Sequence, residues 1–282
     1  MSSICLQQAL SAATKNIASP SARIDAETLL MYILKKNRAY LYAYPEGILS
    51  EEQHSAYQQL IDLRIAGHPV AYLTGKREFW SMQLQVTPDT LIPRPHSECI
   101  IEVILNKFAP HTTLNILELG AGSGAIACAI AHEKPNWHIT SGDISLSALQ
   151  IAINNSQLFK LNNINFIHSD WFQAISKEKK FDLIVSNPPY IAANDPHLKC
   201  GDLRFEPQNA LVGGLHGHES LQHIIQHSHE YLTDNGCLVL EHGFQQRTIV
   251  MGMMHAAGYS EIHCTQDTQG LDRVTLGTYS ST

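Results

Sequence analysis

The length, composition and charge of this chain limit the classes to which it can belong. Its 282 residues suffice for one large domain or for a large and a small one, and 44% hydrophobic with 16% charged residues is typical of a soluble globular protein. A net charge of −7 argues against nucleic acid as a direct partner. No apolar run approaches the roughly 18 residues that a membrane span needs, so we expect no membrane association.

The distribution of charges and cysteines gives two further indications. Residues 1–77 carry eight Lys and Arg against six Asp and Glu, whereas residues 78–282 carry eleven against twenty. The first part is therefore mildly basic and the second acidic, which indicates two modules with different partners. The six cysteines are scattered without a CxxC pair, which is typical of reduced thiols and predicts a cytoplasmic protein.

The beginning of the chain has helical patterns that predict a small helical-bundle domain over residues 1–75. Apolar residues recur at helical spacing within 4–16 and within 24–34. Ser50 followed by Gln53 is the signature of a capping box, at which a further helix begins. Amphipathic stripes of this kind usually form only a core, so the pattern assigns no chemistry to this domain.

Strands and helices alternate in residues 96–282, the predicted catalytic domain. A linking β-hairpin is expected within residues 76–95, because KREFWSMQLQVT approaches the alternation of a strand. The alternation beyond it predicts an α/β fold with a mostly parallel sheet covered on both faces. Strand-like runs lie at 114–119, 137–142, 163–168, 181–185 and 236–241. Helical patterns lie at 97–107, 124–132, 145–159, 218–231 and 244–257.

A glycine-rich loop follows the first of these strands in the stretch LELGAGSGAIA. Glycines permit a tight turn and let the backbone approach a ligand, and the helix that follows begins with free N–H groups. With Ala125 the loop satisfies the dinucleotide-binding pattern GxGxxG/A, so it predicts a nucleotide-like ligand without saying which. The candidate cofactor-binding residues here are Glu118, Gly120, Ala121, Gly122, Ser123 and Gly124.

The next two strands end in residues suited to an adenosyl group. Asp143 is placed to accept hydrogen bonds from both hydroxyls of a ribose, the alternative being a capping role for the helix that begins near Ser145. Asp170 and Trp171 follow the third strand and can meet the amino group and the ring of an adenine. These strand ends together predict an adenosyl site.

The stretch LIVSNPPY separates a methyl-donor site from a nicotinamide site. Two prolines cannot continue a sheet ladder, so they make a stiff corner at the carboxyl end of a strand. Hydride transfer commonly needs a His or Lys, which this corner does not offer. The Asn187 carboxamide and the Pro188 carbonyl can instead accept both hydrogens of an NH2 group, and Tyr190 can pack on its plane. The candidate catalytic residues are Asn187, Pro188, Pro189 and Tyr190, and Asn187 is also a candidate cofactor-binding residue.

Taken together, these stretches resemble the release-factor glutamine methyltransferases (HemK/PrmC) over nearly the whole chain. The stretches that carry the resemblance are ARIDAETLL, GHPVAYLTGKREFWSMQLQV, LIPRP, LGAGSGAIA, SDWF, VSNPPYI, DPHLKCGDLRFEP, EHGFQQ and RVTLG. NPPY alone is shared with nucleic-acid N-methyltransferases. AYLTGKREFW and LIPRP before the catalytic core, with GDLRFEP after NPPY, make the match specific.

The resemblance implies a class I S-adenosylmethionine-dependent methyltransferase with a Rossmann-like seven-stranded sheet behind a helical domain that binds the release factor. The implied reaction methylates the side-chain amide nitrogen of the glutamine in the GGQ motif of class I peptide chain release factors. It leaves S-adenosylhomocysteine and uses no metal. By motif, the glycine loop, Asp143 and Trp171 would bind the donor, and Asn187 to Tyr190 the glutamine amide. We expect a monomer.

Two other functions stay open at this stage. N-methylation of adenine or guanine in nucleic acid is compatible with NPPY, although the acidic second part has no long basic stripe. A non-catalytic adaptor could keep the fold and bind only a partner. Such an adaptor would not need the glycine loop, Asp143 and NPPY in one chain.

Several residues carry weaker expectations. His96-Ser97 stands where relatives usually have Asp-Thr, and we expect a helix-capping role there with added pH dependence from His96. Arg204 and Glu206 predict an ion pair that closes a loop, or else a substrate lid. Glu241, at a strand end, is expected only to orient neighbouring backbone. The histidines at 216, 218, 223, 227 and 229 are expected on the surface or on a helix face rather than at a metal, since no HExxH occurs.

Overall fold

The computed structural model describes residues 4–109 and 111–280, and their contacts divide the chain into two units. The first unit takes in the chain up to Lys76 together with Lys199–Phe205, and the second comprises Arg77–Leu198 and the chain from Glu206 onward. Within the two described ranges, every helix is too short or too polar to traverse a lipid bilayer.

The first unit is helical. Its helices are α1 (Leu6–Asn16), α2 (Ala22–Leu34), α3 (Arg38–Ala43), α4 (Glu51–Ile65) and α5 (Val70–Thr74). The capping box at the start of α4 is confirmed, because the Gln53 amide donates to Ser50 Oγ over 3.1 Å and the Ser50 amide donates to Gln53 Oε1 over 3.0 Å. The sequence pattern missed α3 and α5, whose six and five residues are too few for a periodic signal.

A buried ion pair and a distant segment complete this unit. Arg64 Nε lies 2.8 Å from Asp25 Oδ2, and its Nη1 lies 2.9 Å from Asp202 Oδ1. Arg204 donates to the carbonyl of Ala66 over 3.0 Å. The segment 199–205 is therefore held against the end of α4 through charged and backbone contacts.

The expected ion pair between Arg204 and Glu206 is wrong, since each residue is engaged elsewhere. Arg204 bonds to the Ala66 carbonyl in the first unit. Glu206 is 4% exposed in the second unit, where it forms an ion pair with Arg94 and accepts a hydrogen bond from the Ile92 amide over 3.0 Å. The carboxylate thus fixes the LIPRP stretch rather than closing its own loop.

A hairpin of β1 (Lys76–Phe79) and β2 (Met82–Gln85) precedes the main sheet. It turns at Trp80 and Ser81, whose φ angles are +51° and +58°. Positive φ at both central residues is what a two-residue hairpin turn of matching twist requires. The stretch KREFWSMQLQVT thus forms a two-stranded hairpin, and its role as a link between domains stays a prediction.

The second unit is built on a seven-stranded sheet, as the resemblance implied. Its strands are β3 (Asn115–Leu119), β4 (His138–Asp143), β5 (Ile164–His168), β6 (Phe181–Ser186), β7 (Leu232–Glu241), β8 (Tyr259–Gln266) and β9 (Asp272–Tyr279). Its longer helices are α6 (Glu98–Lys107), α7 (Ala125–Glu133), α8 (Leu146–Leu158), α9 (Glu219–Ser228) and α10 (Arg247–Ala256). The strand order is β5-β4-β3-β6-β7-β9-β8, with β9 antiparallel to both of its neighbours.

Alternate residues of the strands face the two sides of this sheet. Ile116 packs in a core cluster with α6 and α7, whereas Leu117 packs in a second cluster with α9 and α10. Both residues are 0% exposed. The sheet is therefore buried on both faces, as parallel strands require.

The order of strands reverses at β3, which positions the candidate site. From β3 the chain adds β4 and β5 on one side and β6 and β7 on the other. Such a reversal leaves a crevice at the carboxyl ends of the two central strands. Here Leu119 lies opposite Ser186 in the register, and Ser186 Oγ donates to the Leu119 carbonyl over 2.6 Å.

Candidate active site

A cavity of about 330 Å³ opens at the carboxyl ends of the central strands in the second unit. Its lining brings together most of the residues predicted from the sequence, namely Gly120, Ala121, Gly122, Ser123, Asp143, Asp170, Trp171, Asn187, Pro188 and Pro189. Glu118, Gly124 and Tyr190 are not part of this lining. The lining also includes Ser97, for which only a capping role was expected, and residues that the sequence did not single out, among them Asp89 and Thr90.

The glycine loop leaves room for a ligand where side chains would otherwise stand. Gly120 and Gly122 have φ angles of +84° and +53°, and a Cβ added at either would meet no atom within 4 Å. The amides of Gly120 and Ala121 both donate to the Gly142 carbonyl, over 2.8 and 2.9 Å. Because both glycines line the cavity, a bound group can approach the backbone here.

The loop is also clamped from behind by a buried asparagine that the sequence did not reveal. Asn155 is 0% exposed, and its Nδ2 donates to the carbonyls of Ser123 and Gln85 over 2.8 and 2.9 Å. Its Oδ1 accepts from the Gln85 amide over 2.7 Å. This side chain ties the glycine loop to strand β2 of the hairpin.

Asp143 is held at the edge of the cavity by two backbone amides. Its Oδ2 accepts from the Gly122 amide and its Oδ1 accepts from the Ser145 amide, each over 2.8 Å. The N-cap of α8 is Ser145 itself, whose Oγ accepts from the Ala148 amide over 3.2 Å. The capping alternative for Asp143 is therefore wrong.

Asp170 and Trp171 follow β5 and are set by a tight turn. Trp171 has a φ of +47°, and its carbonyl accepts from Ser169 Oγ over 2.8 Å. The same hydroxyl accepts from the Ala174 amide over 3.0 Å. This network fixes the direction in which both side chains meet the cavity.

Glu118 lies behind the cavity lining and is 1% exposed. Ser141 Oγ donates to its Oε2. Burial raises the pKa of Glu118 to about 8, against the lowering effect of the Ser141 hydroxyl. Glu118 therefore carries a proton over much of the neutral range.

The corner after β6 holds a carboxamide in one orientation. Asn187 Nδ2 donates to Ser97 Oγ over 3.3 Å, which leaves Asn187 Oδ1 as an acceptor. Ser97 is 3% exposed and occupies the N-cap position of α6, but its side chain makes no capping hydrogen bond. The expected capping is therefore confirmed in position only, and the Ser97 side chain instead lies in the cavity lining.

Tyr190 is anchored behind the corner. Its hydroxyl donates to Glu241 Oε1 over 3.1 Å, and Glu241 is 0% exposed. Burial and the nearby Glu241 charge raise the pKa of Tyr190 well above its usual range. The expectation that Glu241 would orient neighbouring backbone is wrong, because its carboxylate accepts a hydrogen bond from the Tyr190 hydroxyl instead.

Two further segments hold the corner from outside. Gln246 Nε2 donates to the carbonyls of Tyr190 and Gly217 over 3.1 and 3.0 Å. A Cβ added at Gly213 would lie 2.3 Å from the Pro189 carbonyl oxygen, so only glycine fits there. The sequence signal for Gln246 was the EHGFQQ stretch, which states no partner, and no pattern in the sequence singled out Gly213.

The histidine-rich stretch forms ring pairs. The rings of His216 and His218 lie 5.8 Å apart, and those of His223 and His227 lie 4.4 Å apart. His223 also lies 6.3 Å from the Trp171 ring, and burial lowers its pKa. Across residues 4–109 and 111–280, no three His, Cys, Asp or Glu side chains are grouped as metal ligands.

Comparison with known protein families matches both parts of the chain. A model of the methyltransferase small domain matches residues 99–203, and a model of the PrmC N-terminal domain matches residues 6–75. The release factor glutamine methyltransferase of Aliivibrio fischeri is 47% identical over 92% of this chain and 91% of its own length. The proteins of the same name from Salmonella typhimurium and Escherichia coli K12 are 45% and 44% identical, each over 93% of this chain and 94% of the relative.

Solved structures show the same fold at low identity. A methyltransferase from Pyrococcus furiosus superposes with a TM-score of 0.54 at 18% identity, over 71% of this chain and 90% of that one. The T. thermophilus 16S rRNA N2 G1207 methyltransferase was solved in complex with AdoMet and guanosine. It superposes with a TM-score of 0.52 at 16% identity, over 72% of this chain and 49% of that one.

Proposed function

The chain belongs to the release factor glutamine methyltransferase family, and we propose that the cavity of its second unit is where it performs that family's reaction. A methyl group passes from S-adenosylmethionine to the side-chain amide nitrogen of the glutamine in the GGQ motif of class I peptide chain release factors. The observation that carries this proposal is that one cavity joins the glycine loop, Asp143 and the Asn187 corner.

The residues around the cavity fit the methyl donor. About 330 Å³ lies within the range of roughly 300–1,000 Å³ common for small-ligand sites. The donor supplies an electrophilic methyl group on a sulfonium and leaves as S-adenosylhomocysteine. The open side of Gly120 and Gly122 admits it close to the backbone, and Asp143 accepts its ribose hydroxyls. Asp170 and Trp171 meet the adenine.

The corner binds the glutamine side chain through acceptors. Because Asn187 Nδ2 donates to Ser97, Asn187 Oδ1 remains available as an acceptor. This oxygen and the Pro188 carbonyl accept the two hydrogens of the glutamine amide NH2. Pro189 lines the cavity beside them, and Tyr190, held at Glu241, closes the corner. Binding both hydrogens directs the nitrogen lone pair along one line.

The chemistry is a direct displacement that depends on orientation. An amide nitrogen is a poor nucleophile because its lone pair is delocalised, and orientation of reactants can contribute about 7–11 kcal/mol. The two acceptors stabilise positive charge that develops on nitrogen in the transition state, as an oxyanion hole does for the opposite charge. As the new N–C bond forms, the S–CH3 bond of the sulfonium breaks and S-adenosylhomocysteine leaves. The nitrogen then gives one proton to water, directly or through Asn187.

We assign the first unit, which the PrmC N-terminal domain model covers, to holding the release factor. The enzyme acts as a monomer. Its substrate is protein rather than nucleic acid, which agrees with the acidic charge of residues 78–282. All six cysteines are free thiols, which supports a cytoplasmic location.

Transfer of a labelled methyl group tests this function. The substrates are a class I release factor, the same factor with GGQ changed to GGA, and duplex DNA. We expect label only on the first, and we expect Asn187→Ala to abolish transfer while donor affinity stays within a few-fold. Asn154→Ala, on α8, serves as the matched control. Label on DNA, or equal label on both factors, would refute the proposed substrate.

A further inference from the structure

The carboxylate behind the corner has incomplete hydrogen bonding. Glu241 is 0% exposed, and its Oε1 accepts from the Tyr190 hydroxyl over 3.1 Å. Among the described residues, its Oε2 has no hydrogen-bond partner. Burial of a polar atom without a hydrogen-bond partner costs free energy, so a further donor near this carboxyl group would stabilise it.

His96 lies within reach of this carboxyl group. Its Nε2 is buried, lacks a hydrogen-bond partner among the described residues, and lies 3.4 Å from Glu241 Oε1. A shift of a few tenths of an ångström would bring this pair to an ordinary hydrogen-bond length.

The turn that carries His96 reaches both ends of the corner. Ser97 accepts from the Asn187 carboxamide at one end. His96 meets Glu241, which accepts from the Tyr190 hydroxyl at the other end. Pro95–Ser97 is a single 3-10 turn, so its placement affects the whole stretch from Asn187 to Tyr190.

Other charged and titratable groups face His96 and Glu241, and each of them is either paired with another residue or uncharged. Arg94 pairs with Glu206, and Arg273 Nε lies 3.2 Å from Asp267 Oδ2. Burial lowers the pKa of His242 and raises the pKa of Cys99 to about 11, so both stay uncharged near neutrality. The facing groups are Tyr190, Arg94, Arg273, Asp267, His242 and Cys99.

We propose that His96 is a positioning residue for methyl transfer, whose ring pairs with Glu241 and thereby holds Tyr190 in place behind the Asn187 corner. This inference rests on the proposed function of the corner.

Kinetics of the full-length enzyme on a class I release factor test this role. We expect His96→Leu to lower kcat about tenfold, as for the loss of one partner of a buried hydrogen-bonded pair. The affinity for S-adenosylmethionine, measured by calorimetry, should stay within about twofold, because His96 is not in the cavity lining. His96→Gln keeps a donor at similar reach, so it should recover most of the activity that His96→Leu loses. His255→Gln, on the exposed end of α10, is the control.

A double-mutant cycle with Glu241→Gln asks whether the two side chains act together. We expect the double variant His96→Leu with Glu241→Gln to lose no more activity than the weaker single variant. Wild-type kcat in His96→Leu, equal losses in the Leu and Gln variants, or strictly additive losses in the cycle would overturn the positioning role alone. A wild-type enzyme that left the release factor unlabelled would overturn the proposed function and this role with it.

Discussion

The carboxylate of Asp143 accepts a hydrogen bond from the amide of Gly122 over 2.8 Å. One side chain thus fixes the end of β4 to the glycine loop beside it. Its other oxygen accepts from the Ser145 amide at the start of α8. A bound ribose would add its hydroxyls to a carboxylate that is already held in place.

Asp143→Ala should weaken donor binding by about 30-fold or more. The change removes a charged acceptor whose hydrogen bonds contribute about 1.5–3 kcal/mol each, and it frees the Gly122 amide. Calorimetric titration with S-adenosylmethionine measures the effect. Glu102→Gln, on the exposed face of α6, should bind as the wild type does. Wild-type affinity in Asp143→Ala would contradict the ribose role.

Ser97→Ala should lower kcat about three- to tenfold, because a lost neutral hydrogen bond contributes about 0.5–1.5 kcal/mol. Without Ser97 Oγ the Asn187 carboxamide can rotate and no longer presents Oδ1 in one direction. Ser97→Thr keeps the hydroxyl and should retain most of the activity. Donor affinity should be unchanged in both variants. Equal rates in the Ala and Thr variants would show that this hydroxyl does not orient Asn187.

Glu118→Gln should change how stability depends on pH. Its pKa is about 8 in the folded protein against an ordinary value of 4.5, so the unfolded chain releases this proton first. Between those values Glu118 makes stability fall as pH rises, by at most about 1.4 kcal/mol per pH unit. Urea unfolding at several pH values should show a shallower fall in Glu118→Gln. Parallel curves for the two proteins would mean that Glu118 titrates normally.

Gly213→Ala should impair transfer while donor binding persists. The added Cβ would lie 2.3 Å from the Pro189 carbonyl oxygen and 2.9 Å from that of Gly217, so backbone must move. Overpacking of this kind costs about 1–3 kcal/mol of stability, and the corner shifts with it. Gly252→Ala, whose Cβ would meet no atom within 4 Å, is the matched control. Normal turnover in Gly213→Ala would show that the corner tolerates displacement.

The main features of the fold could be predicted because they depend on patterns of neighbouring residues in the sequence. Alternating strands and helices gave the parallel part of the sheet, and Ser50 with Gln53 located the start of α4. Strands β8 and β9 were not among the predicted runs. The edge strand β8 is largely exposed and therefore polar, so it lacks a clear alternation, while β9 is buried along most of its length.

The residues of the candidate site likewise fall into those that local sequence patterns predicted and those that they did not. The glycine loop, Asp143 and the prolines of the corner follow strand ends directly, so position alone indicated a ligand. Their supports come from far along the chain: Ser97 lies 90 residues from Asn187, and Glu241 lies 51 residues from Tyr190. Such pairings arise only when the sheet brings segments together, and no local pattern encodes them.

The segment that completes the first unit has a consequence for the order in which the protein is made. Arg64 and its partner Asp202 stand 138 residues apart in the chain. A growing chain folds from its N-terminal end, so α1 to α5 leave the ribosome long before Asp202 and Arg204 exist. The helices gain these contacts only after most of the second unit has been synthesised. A fragment that stops at Lys76 would therefore be less stable than the same helices in the finished protein.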